Sequence, residues 1–170
     1  MMRYLFILLF CTLTLHAQTK AKVIGVKDGD TVEVLLDGNV PVVLRLADVD
    51  CPEKAQPYGQ KAKEFVSDAI FGKKITYYPT KTDRYGRTIA KIYYNKKYLS
   101  EEIIRAGFGW WYKDYSKANY LEAIQKEAKK AKRGLWKDKN PIAPWEFRKQ
   151  KRNKTTTSAT KDTKNDNKKK

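Results

Sequence analysis

Between Val23 and Leu46 two tight-turn signals interrupt runs of alternating apolar residues, a spacing that suits little besides antiparallel sheet. Val23, Ile24 and Val26 lead into Asp28-Gly29-Asp30. Val32, Val34 and Leu36 then alternate with Thr31, Glu33 and Leu35 up to Asp37-Gly38-Asn39, after which Val42, Leu44 and Leu46 alternate with Val43 and Arg45. A side-chain period of two marks strands with one buried face. Asp-Gly between such runs is hairpin chemistry, because glycine accepts positive φ. Parallel neighbours need long crossovers, so three strands joined this closely form an antiparallel meander.

The period then changes. Ala62, Phe65, Val66, Ala69 and Ile70 recur at helical spacing, with Gly72 as the stop. Ile75 to Tyr78 reads as a fourth strand ended by Pro79, and Thr88 to Tyr94, rich in β-branched and aromatic residues, as a fifth. Ser100 is placed to cap a short helix that carries Glu101 and Glu102 at its positive end and closes at Gly107. A last helix is expected over about 119–133, with Leu121, Ile124, Ala128 and Ala131 as its apolar stripe and Gly134 as its end. The expected fold class is α+β, mainly β: a five-stranded barrel of the oligonucleotide-binding kind with three helices.

Charge sets the partners. The 36 Lys and Arg against 19 Asp and Glu leave a net +17, which favours a polyanion, either nucleic acid or an anionic membrane surface. Residues 149–170 hold nine basic and two acidic residues and no large apolar one, and read as a disordered basic tail. With Arg3 set aside, +9 remains in 18–148, so the folded body is itself basic. Arg3 precedes an apolar run from Tyr4 to Leu15, and Ala17 is a small residue before Gln18. That pattern is a signal peptide over 1–17; a bilayer span needs about 20 apolar residues. Secreted or periplasmic placement follows as the expectation, ahead of a lipid-anchored form on Cys11, which Phe10 suits poorly. Without 1–17 the chain has Cys51 as its one cysteine and no histidine. That excludes histidine bases, an intrachain disulfide and Cys/His zinc sites, and leaves carboxylates, Arg, Lys, Tyr or Ser, with or without a hard metal ion.

Three groups of residues suit such chemistry. Asp28 and Asp30 precede the second strand, while Asp48, Asp50 and Glu53 follow the third, so hairpin pairing brings both groups to one end of the sheet. Asp30 shares parity with Val32 and Val34, and a strand reaching that far turns its carboxylate inward, where it needs a partner or a metal; Asp28-Gly29-Asp30 also suits a plain turn. All-oxygen ligands suit Ca²⁺ or Mg²⁺. Arg45 is a charge inside Val42-Val43-Leu44-Arg45-Leu46, either a rim arginine on the solvent face or a guanidinium fork for phosphate. Asp83-Arg84-Tyr85-Gly86-Arg87 joins the fourth and fifth strands, as a solvated turn or as a pair of arginines around a base-stacking Tyr85. Phe108, Trp110, Trp111, Tyr112 and Tyr115 suit the core, with room for one ring in a groove.

In order and spacing, Asp28-Gly29-Asp30-Thr31, Arg45-Leu46, Asp50-Cys51-Pro52-Glu53 and Asp83-Arg84-Tyr85-Gly86-Arg87 resemble the staphylococcal nuclease (thermonuclease) family. The likeness runs from about Val23 to Trp136, and Pro144-Trp145-Glu146-Phe147-Arg148 is similar to an ending seen in relatives. It implies a five-stranded barrel with three helices and a monomeric nuclease domain over 18–148. It further implies a calcium-dependent endonuclease acting on DNA and RNA and leaving 3′-phosphate ends. Asp30 and Asp50 fall on the calcium ligands, and Cys51 falls where a backbone carbonyl joins them. Glu53 falls on the carboxylate that orients or deprotonates water, and Arg45 and Arg87 on the phosphate-binding arginines. Tyr85 and Tyr112, with Arg84 beside Tyr85, fall on nucleotide-contacting positions. A non-catalytic nucleic-acid-binding module on the same barrel is the alternative, and the filled acidic and arginine positions argue against it.

Overall fold

The computed structural model describes residues 18–153; the expected signal peptide, 1–17, and tail residues 154–170 lie outside the described residues. The meander forms as its periodicity requires: β1 (Thr19–Asp28), β2 (Thr31–Leu35) and β3 (Pro41–Leu46) pair antiparallel in sequence order. Val23, Val32, Val34 and Leu44 are fully buried on the inner face. A two-residue strand, β4 (Val49–Asp50), follows, then α1 (Gly59–Ile70), whose Ala62, Val66 and Ile70 cover one side of the core.

The second half completes the barrel with β5 (Lys74–Thr82), β6 (Thr88–Tyr94) and the short β7 (Lys97–Tyr98). The sheet order is β3-β2-β1-β5-β6-β7, and β3 also pairs with β6 in parallel, closing five long strands on themselves. Closure matters for function, because it sets Arg45 beside Ile89 and so brings the start of β6 next to β3. Then come α2 (Leu99–Ala106), β8 (Trp110–Trp111), which pairs antiparallel with β4, and α3 (Leu121–Lys130). Among the described residues no helix is long and apolar enough to cross a membrane.

Several expectations need correction. There are four α-helices among the described residues, since 144–153 is also helical (α4). Residues 149–153, assigned from composition to a disordered tail, are thus the end of a helix. Pro79 does not end its strand: it pairs with Ala90, and the register shifts between Pro79 and Lys81. A bulge is where a strand tolerates a residue without an N–H donor. Ser100 is not a cap. Tyr98 precedes α2, and Ser100, fully buried inside the helix, donates its hydroxyl to the Ala47 carbonyl at 2.7 Å. Tertiary demand for a donor outweighed the local capping preference there. The last expected helix is shorter than 119–133: α3 spans Leu121–Lys130, and the chain turns at Lys132 (φ 49°) before reaching Gly134.

Candidate active site

The β1–β2 turn supplies the first carboxylates. β2 begins at Thr31, so Asp30 lies in the turn, and the strand parity that would aim it inward with Val32 does not reach it. The turn holds itself locally, with the Asp30 N–H donating to Asp28 Oδ1 at 3.1 Å. Gly29 is required by close approach: a Cβ there would meet Ala62 Cβ at 2.7 Å and Cys51 Cβ at 2.8 Å. Asp30 is therefore pressed against the loop after β3, and its Oδ2 accepts the Cys51 N–H at 2.7 Å.

Arg45 organises the opposite side. Its register partner is Thr31, on the face away from the fully buried Leu44. That face is not open to solvent here, for the Arg45 side chain is only 11% exposed. Its Nη1 donates to the carbonyls of Leu46 (2.7 Å) and Val49 (2.9 Å). Its Nη2 meets Asp50 Oδ1 at 2.9 Å and Asp30 Oδ2 at 3.0 Å. One guanidinium nitrogen thus joins two carboxylates, Asp30 from the β1–β2 turn and Asp50 from the end of β4. Asp48, expected in the same group, takes another role: its Oδ2 accepts the Tyr98 hydroxyl at 2.7 Å and anchors the loop.

The final member comes from α4. Arg148 Nη2 bonds Asp50 Oδ2 at 2.8 Å, while its Nη1 bonds Glu53 Oε1 at 2.8 Å and Asp50 Oδ1 at 3.3 Å. Glu53 is the half-exposed carboxylate of the set, at 42% against 2% for Asp50. Sequence reasoning assigned no role to Arg148. The signal was present in the Pro144–Arg148 motif, but nothing local says which carboxylate a residue about a hundred positions away will meet.

The electrostatics leave acid in excess, since three carboxylates share two guanidinium groups. Burial pushes Asp30 up to about 7, opposed by Arg45 and reinforced by the neighbouring Asp28 and Asp50 charges. Burial lowers Arg45, but Asp30 and Asp50 outweigh it and hold the guanidinium firmly protonated. Burial, and after it Asp30, pushes the Cys51 thiol well up; its Sγ donates to the Gly29 carbonyl at 3.2 Å. A protonated thiol is no soft-metal ligand. Among the described residues no group of three or more His, Cys, Asp and Glu side chains is placed to hold a metal. What Asp30 and Asp50 offer is a buried pair of hard oxygen donors with surplus negative charge, a donor set that fits a hard divalent cation completed by backbone carbonyl and water.

The β5–β6 turn forms a second, separate feature. Asp83 Oδ1 accepts the N–H groups of Tyr85 (2.9 Å) and Arg87 (3.0 Å), and its Oδ2 accepts Arg87 Nε at 2.8 Å. Tyr85 is 69% exposed, with the guanidinium groups of Arg84 and Arg87 lying 4.9 and 5.5 Å from its ring centre. Arg87 is thus bonded within its own turn rather than to the carboxylate cluster. Arg87 immediately precedes β6, whose Ile89 is the register partner of Arg45. Tyr112 stacks on Trp145 of α4 (5.9 Å, 12°) and leans on Tyr115 (4.5 Å); burial and then the Asp50 charge push its phenol up. Trp111 is buried, and Phe108 packs on Phe65, so these two rings are core.

Comparison with known proteins agrees with this geometry. Residues 43–138 match the family described as staphylococcal nuclease homologue. A Haemophilus influenzae protein described as an uncharacterized endonuclease is 39% identical over 146 residues, covering 85% of this chain and 82% of the relative. An Escherichia coli protein of the same description is 36% identical, covering 85% and 94%. A Shigella flexneri micrococcal nuclease is 29% identical, covering 88% and 91%.

Proposed function

The chain belongs to the staphylococcal nuclease family, and from that membership and the site we propose that it is a secreted, calcium-dependent, monomeric endonuclease that hydrolyses DNA and RNA to 3′-phosphate ends. That it is a nuclease acting on nucleic acid follows from the family. The observation that carries the finer reading is the meeting of Asp30 and Asp50 on one Arg45 nitrogen, with half-exposed Glu53 beside them. Secretion rests on the leader-like sequence of 1–17.

A phosphodiester resists attack because it is already anionic. A bound Ca²⁺ supplies charge neutralisation at a non-bridging oxygen and an anchor for water. Asp30, Asp50 and the Cys51 carbonyl are the groups that would hold it. Glu53, at the rim, orients the attacking water and takes its proton. Arg45, fixed by two backbone carbonyls, presents positive charge without needing to reorganise as negative charge builds on the phosphoryl oxygens. Arg87 approaches from the β5–β6 turn as the second phosphate donor, and Arg84, Tyr85 and Tyr112 contact nucleotide.

The test is an assay of the purified protein on single-stranded DNA and RNA with Ca²⁺, with Mg²⁺ or with EGTA, followed by end-group analysis. Cleavage with Ca²⁺, little with Mg²⁺ and 3′-phosphate products are expected. Full activity in excess EGTA overturns the calcium reading. Glu53→Gln should lower kcat at least ~100-fold with folding intact, the scale of a lost general base. Cell fractionation checks export: the protein should leave the cytoplasm with 1–17 removed.

A further inference from the structure

Two arginines neutralise Asp50, yet they are held very differently. Arg45 is 11% exposed and pinned by the carbonyls of Leu46 and Val49 as well as by Asp30 and Asp50. Arg148 is 35% exposed, and among the described residues its hydrogen bonds run to Asp50 and Glu53, with no backbone carbonyl among them. Each Asp50 oxygen already accepts at least one guanidinium N–H: Oδ1 from Arg45 and Arg148, Oδ2 from Arg148. A cation that takes Asp50 as ligand must claim lone pairs that Arg148 occupies, and its charge repels the guanidinium. Of the two arginines, only Arg148 has the exposure and the lack of backbone anchoring to give way.

We propose that Arg148 is the counter-cation of Asp50 before metal loading: it competes with the divalent ion for that carboxylate, and its bond to Glu53 makes it a positioning residue for the hydrolysis. This rests on the calcium reading above. The arrangement solves a physical problem. A buried carboxylate of 2% exposure facing a second one at 3 Å from the same arginine nitrogen is costly without enough positive charge. Arg148 supplies that charge, and yields it to a stronger cation when one arrives. Freeing Asp50 takes the loss of the Nη2 bond to Oδ2 and of the longer 3.3 Å contact from Nη1 to Oδ1, while the 2.8 Å bond of Nη1 to Glu53 is kept, so one side chain can free the metal ligand while still orienting the base.

The sign of the change in metal affinity separates this from a purely structural role. Isothermal titration with Ca²⁺, without nucleic acid, would compare the full chain with Arg148→Ala, Arg148→Gln and Arg148→Lys. Arg148→Ala should bind Ca²⁺ about tenfold tighter while melting at lower temperature in EGTA, the scale of one lost charge-assisted competitor. Arg148→Gln keeps much of the aliphatic stem and should behave similarly, which covers the case of poor folding in the alanine variant. Arg148→Lys keeps the charge without the fork and should fall between. In turnover assays the Ca²⁺ concentration for half-maximal rate should drop, while kcat falls several-fold because Glu53 loses its orienting partner. Weaker Ca²⁺ binding by the alanine and glutamine variants than by the unmodified chain overturns this proposal alone. A lysine variant that binds Ca²⁺ as tightly as the alanine variant also overturns it, by showing that the charge at 148 does not compete with the ion. Absence of Ca²⁺ binding in every protein overturns the calcium reading, and this inference with it.

Discussion

Arg45 and Arg87 both pair with aspartate, but in regions built by opposite rules. Arg87 meets Asp83 four residues away, within one turn, with its side chain 32% exposed. Arg45 joins Asp30, on the β1–β2 turn, to Asp50, at the end of β4, and is 11% exposed. The β5–β6 turn can form from its own residues, for Asp83 alone ties down two N–H groups and a guanidinium. The carboxylate cluster exists only after β1, β2 and β3 have paired and the loop through Cys51 has folded back. The buried region holds charge in a preset geometry at a cost in desolvation. The exposed turn holds charge cheaply, free to adjust to a substrate.

Arg45→Ala tests the buried half hardest. It strands Asp30 and Asp50 and leaves two carbonyls without their donor, so a loss of about 3–5 kcal/mol in urea unfolding is expected, together with loss of cleavage. A loss below about 1 kcal/mol would show that the cluster is no more demanding than a surface pair. Gly29→Ala comes next. Its new methyl would lie 2.7 Å from Ala62 Cβ and force the turn off Cys51, at a cost of about 1–3 kcal/mol in thermal denaturation. An unchanged melting temperature would mean that the turn shifts freely and that Asp30 is not held by packing.

On the exposed half, Arg87→Ala should cost less than about 1 kcal/mol of stability while lowering turnover ~100-fold, the scale of one lost transition-state donor. Comparable losses for Arg87→Ala and Arg45→Ala in unfolding would erase the contrast between the regions. The smallest effect concerns acid. Burial raises Asp83, but the Arg87 N–H, the Arg87 guanidinium and the Tyr85 N–H outweigh it and hold the carboxyl below its ordinary range. A depressed carboxylate stabilises the fold above its unfolded pKa, and that contribution disappears as pH falls through the lower, folded value. The unmodified chain and Asp83→Asn should therefore differ by under about 1 kcal/mol at neutral pH and converge in acid. A gap that stays constant through the acid range would assign it to something other than the carboxylate charge.

Much of this was legible in advance, for reasons that differ by residue. Thr88 to Tyr94 is a strand as expected, because β-branched and aromatic residues suit a half-buried pleat wherever it lies. Pro79 misled because its missing donor marks either an end or a bulge, and only the pairing with β6 decides which. Ser100 misled in the same way: the hydroxyl could serve a cap or a distant carbonyl, and Ala47 lies 53 residues away. The helix at 144–153 has no clear sequence signal, because its lysines and arginines look like the start of the tail and Trp145 and Phe147 are too few to show a helical period.

The sequence by itself determined the meander and the basic charge that suits a polyanion. Those follow from local periodicity and from residue types that are present or missing, which need no knowledge of distant neighbours. Only the tertiary structure decided that Arg45 is the buried link between Asp30 and Asp50, and that Arg148 joins Asp50 to Glu53. Like charges are interchangeable along a chain. Which one loses its water to meet a buried carboxylate is set by the packing of α4 and the closure of the barrel, and that choice has no local signature.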